Sequence, residues 1–508
     1  MLAFAALHAI HLTADFPNHS PWSSDWAKYT DEGWYGNAAI RQHLTGQWYV
    51  PGDFNPAPAV PVWPFLEWVL FFFTGVTIEA ARGLAIAFFF ANLALLWLLL
   101  RVRSSQWVAL LALTLMVTSP FLYCFSRLAI LEPLLTALTL AALNLAVRLP
   151  RARRPLLAAV VLGMVCALMM LTKTTAVFLA PAVGWAILVA LRQNWRRAVG
   201  STLTVGAVSA VLYGGWLAAM ARLGLLADYR YFFFVNKYDK PPQFYWPLLS
   251  GWWSFHGGLW VDHILMPLAG VVVLGALLAW RSRWGRTLLL DPVFGASLLA
   301  VAGYLLFMTV QNHPQPRYFA VVAAFCFVLV AQGAGALLSA DGLAHRIGWG
   351  VVALAAGAAV SNAAWTASYA AHPEYTWVEA AQRLTHYIDT HPHGKRLLVS
   401  ISGDEITLIT HLPTLCDDFG TQLLPDKLAK YQPGWYAAWN DLDPGALADL
   451  HTHYSLEQVA SFHAFDDPDR DVLVLFELHP LPNGKVRDQA DENLQVVLPD
   501  DKIDIDVE

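Results

Sequence analysis

From Met1 to about Trp365 the chain alternates long apolar runs with short polar junctions, and beyond that point the periods shorten and polar positions multiply. Runs of the first kind suit a hydrocarbon core about 30 Å thick, which takes about 20 helical residues to cross. The pattern predicts spans near 1–13, 80–100, 107–124, 128–147, 156–172, 175–191, 199–221, 263–280, 288–310, 317–338 and 347–365. Beyond them, TWVEAAQRLTHYIDTH at 376–391 reads as an amphipathic helix. RLLVSI (396–401) and DVLVLFEL (471–478) read as strands, with a helical DPGALADLHTHY between them. The expected fold class is an α-helical polytopic membrane protein of about 11 spans with a C-terminal soluble α/β domain.

Two apolar runs need separate treatment. Met1–Thr13 lacks a basic start and a small-residue cleavage site, so it does not fit a signal peptide; we read it as a first span that falls short of a full crossing. The stretch 60–77 is hydrophobic enough to cross, but it contains Pro61, Pro64 and Glu67, and another crossing would reverse every later loop. It is expected to lie in the membrane interface with its aromatics at headgroup level.

Charge decides the orientation. Arg101/Arg103, Arg148/Arg151/Arg153/Arg154, Arg192/Arg196/Arg197, Arg281/Arg283/Arg286 and Arg346 fall at alternate junctions, which places those loops and the N-terminus in the cytoplasm. The loop 14–79, the segment 222–262, the QNHPQPRYF stretch at 311–319 and the C-terminal domain are then outside, in the periplasm or extracellular space of a plasma-membrane protein. Residues 1–365 carry a net +10 and residues 366–508 a net −16, so the overall −6 is the sum of two unlike parts. With 57% hydrophobic and 14% charged residues, the composition excludes an ordinary soluble protein. Three of the four cysteines lie in apolar runs and only Cys416 in the polar part, which rules out a disulfide inside the soluble domain. Residues 482–508 are Asp-rich and read as a disordered acidic tail.

Acidic residues are scarce before Trp365, so their positions carry weight. Asp31 and Glu32 follow the first span and open a helix-like GWYGNAAIRQHL; capping that helix is their bland use. Glu132 lies at the outer start of a span, where it either pairs with Arg127 or faces the same cavity as Asp31. Lys173 and Arg317 lie at outer junctions, where Lys173 equally well snorkels to the headgroups. Carboxylates can take a proton from an attacking hydroxyl, and fixed cations stabilise a departing phosphate. The inventory suits transfer of a phosphate-linked group at the membrane surface.

TDEGWYGNAAIRQHLTGQWYVPGDFNP, FTGVTIEAARGLAIAFF, SRLAILEPLLTALTLAAL and GMVCALMMLTKTTAVFLAPA occur in an order that resembles the GT-C superfamily of integral membrane glycosyltransferases. The nearest types are the protein O-mannosyltransferases and the aminoarabinose transferases that modify lipid A. The likeness covers most of residues 25–340. It implies a polyprenyl-phosphate-sugar donor, attack at the anomeric carbon with inversion, and a lipid, glycan or protein acceptor. It implies a transmembrane glycosyltransferase domain over 1–365 with a catalytic outer loop at 14–79, and an outer domain at 366–481. By resemblance Asp31 is the catalytic acid, Glu32 its partner that supports the loop, and Glu132 a third carboxylate where the family usually has Asp. Lys173 and Arg317 face the lipid phosphate, with Arg127 among the cations of the same end. The family often has Lys before its paired prolines, whereas this chain has Asn55-Pro56-Ala57-Pro58; Arg41 or Lys173 are the candidates to replace it.

Some superfamily members use a divalent metal and others do not, and no His/Asp cluster in the sequence is tight enough to claim one; His451 and His453 read as solvated. The expected partners are the donor, an acceptor and membrane lipids, without nucleic acid. The rival readings are a transporter or flippase of a lipid-linked envelope precursor and a non-catalytic scaffold. A transporter would place its acids at mid-membrane, in corresponding positions of two repeats.

Overall fold

The structure, a computed structural model, describes residues 1–235, 264–311, 315–440, 442–467 and 470–482. Much of the aromatic segment at 222–262, part of the 311–319 stretch and nearly all of the acidic tail therefore lie outside the described residues.

The first part is a helical bundle. Its elements are α1 (Leu2–Leu7), α2 (Asp31–Thr45), α3 (Val62–Thr74), α4 (Ile78–Arg103), α5 (Gln106–Thr118), α6 (Pro120–Ser126), α7 (Leu131–Arg148), α8 (Pro155–Thr172), α9 (Ala180–Ala190), α10 (Trp195–Arg222) and α11 (Leu226–Arg230). After the gap come α12 (Leu265–Leu278), α13 (Arg283–Leu289), α14 (Pro292–Gln311), α15 (Phe319–Leu338) and α16 (Leu343–Ala371). Among the described residues, 7 helices are long and apolar enough to cross a membrane, or up to 9 if each bent pair is one span. The expected count of 11 is not reached.

Two departures have clear causes. The first run is helical only over Leu2–Leu7 because its later carbonyls serve other groups. Arg127 takes those of Leu7 and His11, and Arg82 takes those of Leu12 (2.9 Å) and Ala14 (2.6 Å). The expected span at 107–124 bends by 66° between α5 and α6, where Ser119 caps the second helix and Pro120 follows. Elsewhere local chemistry sets the ends. Thr77 accepts from the Ala80 amide at the start of α4, and Arg101 and Arg103 sit in its last turn, where cations suit the helix dipole.

α15 is the centre of the bundle, with 83% of its apolar stretch buried, against 11% for α10 at the periphery. Exposed Leu203 and Val211 on α10 are what a lipid-facing helix requires.

The C-terminal part is a five-stranded sheet: β1 (Leu398–Val399), β2 (Thr414–Leu415), β3 (Trp435–Trp439), β4 (Tyr454–His463) and β5 (Val472–Pro480). The order is β2-β1-β3-β5-β4, with β1 parallel to β2 and β3, and β5 antiparallel to β3 and β4. One face packs on α17 (Thr376–Thr390) through Trp377, Leu384 and Ile388. The other packs on α19 (Leu424–Tyr431) and α20 (Pro444–His451). Between β1 and β2 lies α18 (Gly403–Thr410), whose first turn docks on α2. A Cβ on Gly33 would stand 2.2 Å from the Glu405 nitrogen, so the two backbones meet where only glycine fits.

Candidate active site

The site is assembled from four separate stretches of chain at one end of the bundle. Asp25 caps the short turn Trp26–Lys28, with one carboxylate oxygen accepting from the Ala27 amide at 2.8 Å. The same carboxylate holds Arg317 twice, accepting from its backbone N–H at 2.8 Å and its guanidinium at 2.6 Å. Arg317 is thereby fixed, and its Nε stands 3.0 Å from Oδ2 of Asp31 in the first turn of α2. The Thr30 hydroxyl lies 3.2 Å from the other Asp31 oxygen.

Next to this group, Lys173 at the end of α8 forms an ion pair with Glu132 in the first turn of α7. The ring of Tyr318 lies beneath both cations, 4.4 Å from the Lys173 ammonium and 5.1 Å from the Arg317 guanidinium. Asp25, Asp31 and Glu132 are thus faced by Lys173 and Arg317, all of them buried. Burial pushes the Asp31 carboxyl above its usual range, opposed by Arg317 and reinforced by Asp25 and Glu132. One oxygen of Glu132 has no hydrogen-bond partner among the described residues, and Glu132 lines a void of about 20 Å³ with Asn92, Ser126 and Thr136. A larger apolar groove of about 590 Å³ opens between α2, α3, α8 and α10, lined by Ala38, Pro58, Phe65, Leu168, Leu171 and Trp216. Leu171 on its wall is two residues from Lys173.

Residues 56–218 match the family of dolichyl-phosphate-mannose-protein mannosyltransferases. Among solved structures, ArnT from Cupriavidus metallidurans bound to undecaprenyl phosphate is similar at a TM-score of 0.59 and 13% identity, covering 93% of this chain and 97% of that one. The archaeal oligosaccharyltransferase AglB from Archaeoglobus fulgidus, in complex with an inhibitory peptide and a dolichol-phosphate, is similar at 0.55 and 12%, covering 90% of this chain and 72% of that one. No curated protein sequence matches the chain. The chain has the fold of these membrane-embedded transferases.

In this fold, four of the seven residues singled out in the sequence come together: Asp31, Glu132, Lys173 and Arg317. Glu32 is adjacent but fully engaged, receiving Arg82 at 2.8 and 2.6 Å and the Ala129 amide at 2.8 Å. Its carboxylate ties α2, α4 and the start of α7 together and has no oxygen left for substrate. Arg41 is ten residues further along α2, about 15 Å up the helix axis, and lies in a different cluster. There it meets Asp53 at 2.7 Å and Asp404 at 2.9 Å, while Lys427 also reaches Asp53 at 3.1 Å. Arg127 turns away as well, stacking on Tyr123 and binding carbonyls of the N-terminal segment rather than pairing with Glu132.

Sequence reasoning passed over Asp25, Arg82, Tyr318 and Asp404. Asp25 could have been found, being one of few acids in the first loop. Asp404, more than 360 residues from Arg41, could not.

Proposed function

We propose that this enzyme moves a sugar from a polyprenyl-phosphate donor to a hydroxyl acceptor, with inversion, at the outer face of the membrane. The acceptor oxygen attacks the anomeric carbon as its proton passes to Asp31. The bond from that carbon to the phosphate oxygen breaks, and the electron pair leaves with polyprenyl phosphate. Lys173 and Arg317 stabilise the charge that develops on the leaving phosphate. Glu32 positions the helix that carries Asp31, and Glu132 orients Lys173. The apolar groove walled by Leu168 and Leu171, on the helix that ends at Lys173, suits the first isoprene units of the donor.

Lys173 is favoured over Arg41 as the cation in place of the family's lysine. Arg41 is already balanced by two carboxylates and Lys173 by one. Asn55, at the position in question, bonds Asp228 instead.

The observation that carries this reading is the buried Asp31 carboxylate, held beside a fixed guanidinium and displaced toward proton uptake. Asp31→Asn tests it, in purified full-length protein with radiolabelled polyprenyl-phosphate sugars and membrane extract. Transfer should fall by about 10²–10⁴-fold with folding and donor binding intact. The wild-type rate should also fall on the acid side at a pH above that of an ordinary aspartate, because the base works only when ionised. Unchanged transfer by Asp31→Asn would sink the assignment.

A further inference from the structure

The C-terminal sheet brings together four donors that the sequence keeps far apart. Glu477 and His479 alternate on one face of β5, and Glu457 on β4 lies directly opposite Glu477 in the register. His393 arrives from the turn after α17. That turn is pressed onto the start of β3, where a Cβ on Gly434 would stand 2.5 Å from the carbonyl oxygens of both His393 and Lys395.

His393 Nδ1 lies 3.5 Å from Glu477 Oε2, and His479 Nε2 lies 3.7 Å from that oxygen and 3.1 Å from Glu457 Oε2. One ligand atom from each of His393, Glu477 and His479 fits within a 4.8 Å circle of mutual distances. Ligands bound at about 2.0–2.1 Å in a tetrahedron stand about 3.4 Å apart, so only small side-chain adjustments are needed.

Two further features point the same way. His393 Nε2 lies 3.0 Å from the Leu478 carbonyl, which can only accept, so Nε2 carries the hydrogen and Nδ1 presents its lone pair to the cluster. A backbone acceptor that fixes the outer ring nitrogen is the usual support for a metal-binding imidazole. In addition, two glutamates directly opposite on adjacent strands repel each other, and a cation between them removes that cost. We propose that His393, Glu477 and His479, with Glu457 as a fourth donor, form a divalent metal site, its two imidazoles selecting a zinc-type ion over magnesium or calcium. The bound ion pins the turn after α17 to the exposed end of the β4–β5 pair.

The test uses the full-length protein in detergent, stripped with chelator and titrated with Zn²⁺ and with Co²⁺. A second group, His19, Glu374 and Asp466, also has ligand spacing, so His19→Ala serves as the background. In that background one equivalent of Zn²⁺ should bind, Co²⁺ should give the intense visible bands of four-coordination, and Zn²⁺ should raise the melting temperature. His393→Ala and His479→Gln should each weaken binding by at least about 10-fold and abolish the Zn²⁺-dependent rise. His386→Ala, a histidine outside the cluster, should change nothing. If the background protein binds no stoichiometric Zn²⁺, or binds it as tightly with His479→Gln, whose small change preserves the fold, the site is overturned.

Discussion

Gly33→Ala is the sharpest test of how the soluble domain is coupled to the site. The added Cβ would stand 2.2 Å from the Glu405 nitrogen, 2.3 Å from the Asp404 carbonyl carbon and 2.5 Å from its oxygen. All three are backbone atoms in the first turn of α18, so no side chain can rotate away. Restoring ordinary contact at about 3.4 Å requires α2 and α18 to part by roughly 1.2 Å, and overpacking of this kind costs about 1–3 kcal/mol. The shift also loads the Arg41–Asp404 pair at 2.9 Å, which bridges the same two helices. Asp31 and Glu32 immediately precede Gly33 on α2, so the displacement reaches the 3.0 Å approach of Arg317 to Asp31 and the Arg82 clamp on Glu32. A misplacement of about 1 Å at reacting groups costs about 10²-fold in rate. Gly83→Ala is the control, since its Cβ would meet nothing within 4 Å. Melting temperature and initial transfer rate should both fall in Gly33→Ala and hold in Gly83→Ala. A Gly33→Ala protein as stable and as active as the wild type would refute the close packing, whatever the reaction proves to be.

Two further outcomes are expected. Lys173→Met leaves Glu132 as an uncompensated buried charge and should destabilise the fold by about 3–5 kcal/mol. Adding Glu132→Gln should restore most of that stability without restoring transfer, and recovery of both would show that the pair is merely structural. Asp15 accepts from the Thr376 hydroxyl at 2.9 Å and the Trp377 amide at 3.0 Å, yet burial raises its carboxyl to about 6. Because the folded value lies above the unfolded one, its ionisation weakens the fold as pH rises from about 4 through about 6, by about 3 kcal/mol in all. The melting temperature of Asp15→Asn relative to wild type should therefore climb across that window; a difference that stays constant with pH would exclude Asp15 as the cause.

What could be read from the sequence follows the range of the physics involved. Hydrophobic runs and arginine junctions are local signals, and nearly every expected span past residue 80 has its helix within a few residues. In the soluble part, β1 and β5 were legible as apolar runs. β3 and β4 were not, because WYAAW is short and the alternation of YSLEQVASFH is broken by the register shift between Gln458 and Ala460. The first span failed for a different reason. Its composition suits a helix, but Arg82 and Arg127 claim its carbonyls, and no window centred on Met1–Thr13 contains either arginine.

The same contrast governs the candidate site. Asp31, Glu132, Lys173 and Arg317 could be named because charge is rare in apolar surroundings, and each is flagged by its own neighbourhood. Arg41 and Arg127 carried the same local flag and went elsewhere, since a flag says that a buried charge needs a partner and not which one. Arg41 found Asp404 across the domain boundary, and Arg127 found Tyr123 and the N-terminal carbonyls. For that reason the partner of each charge, rather than the charge itself, is what separates a group poised for substrate from one spent on the fold. By that measure Glu32, saturated by Arg82 and the Ala129 amide, belongs to the scaffold. Asp31, held by one fixed guanidinium and the Thr30 hydroxyl and with a carboxyl displaced toward proton uptake, is the group we propose changes partners during the reaction.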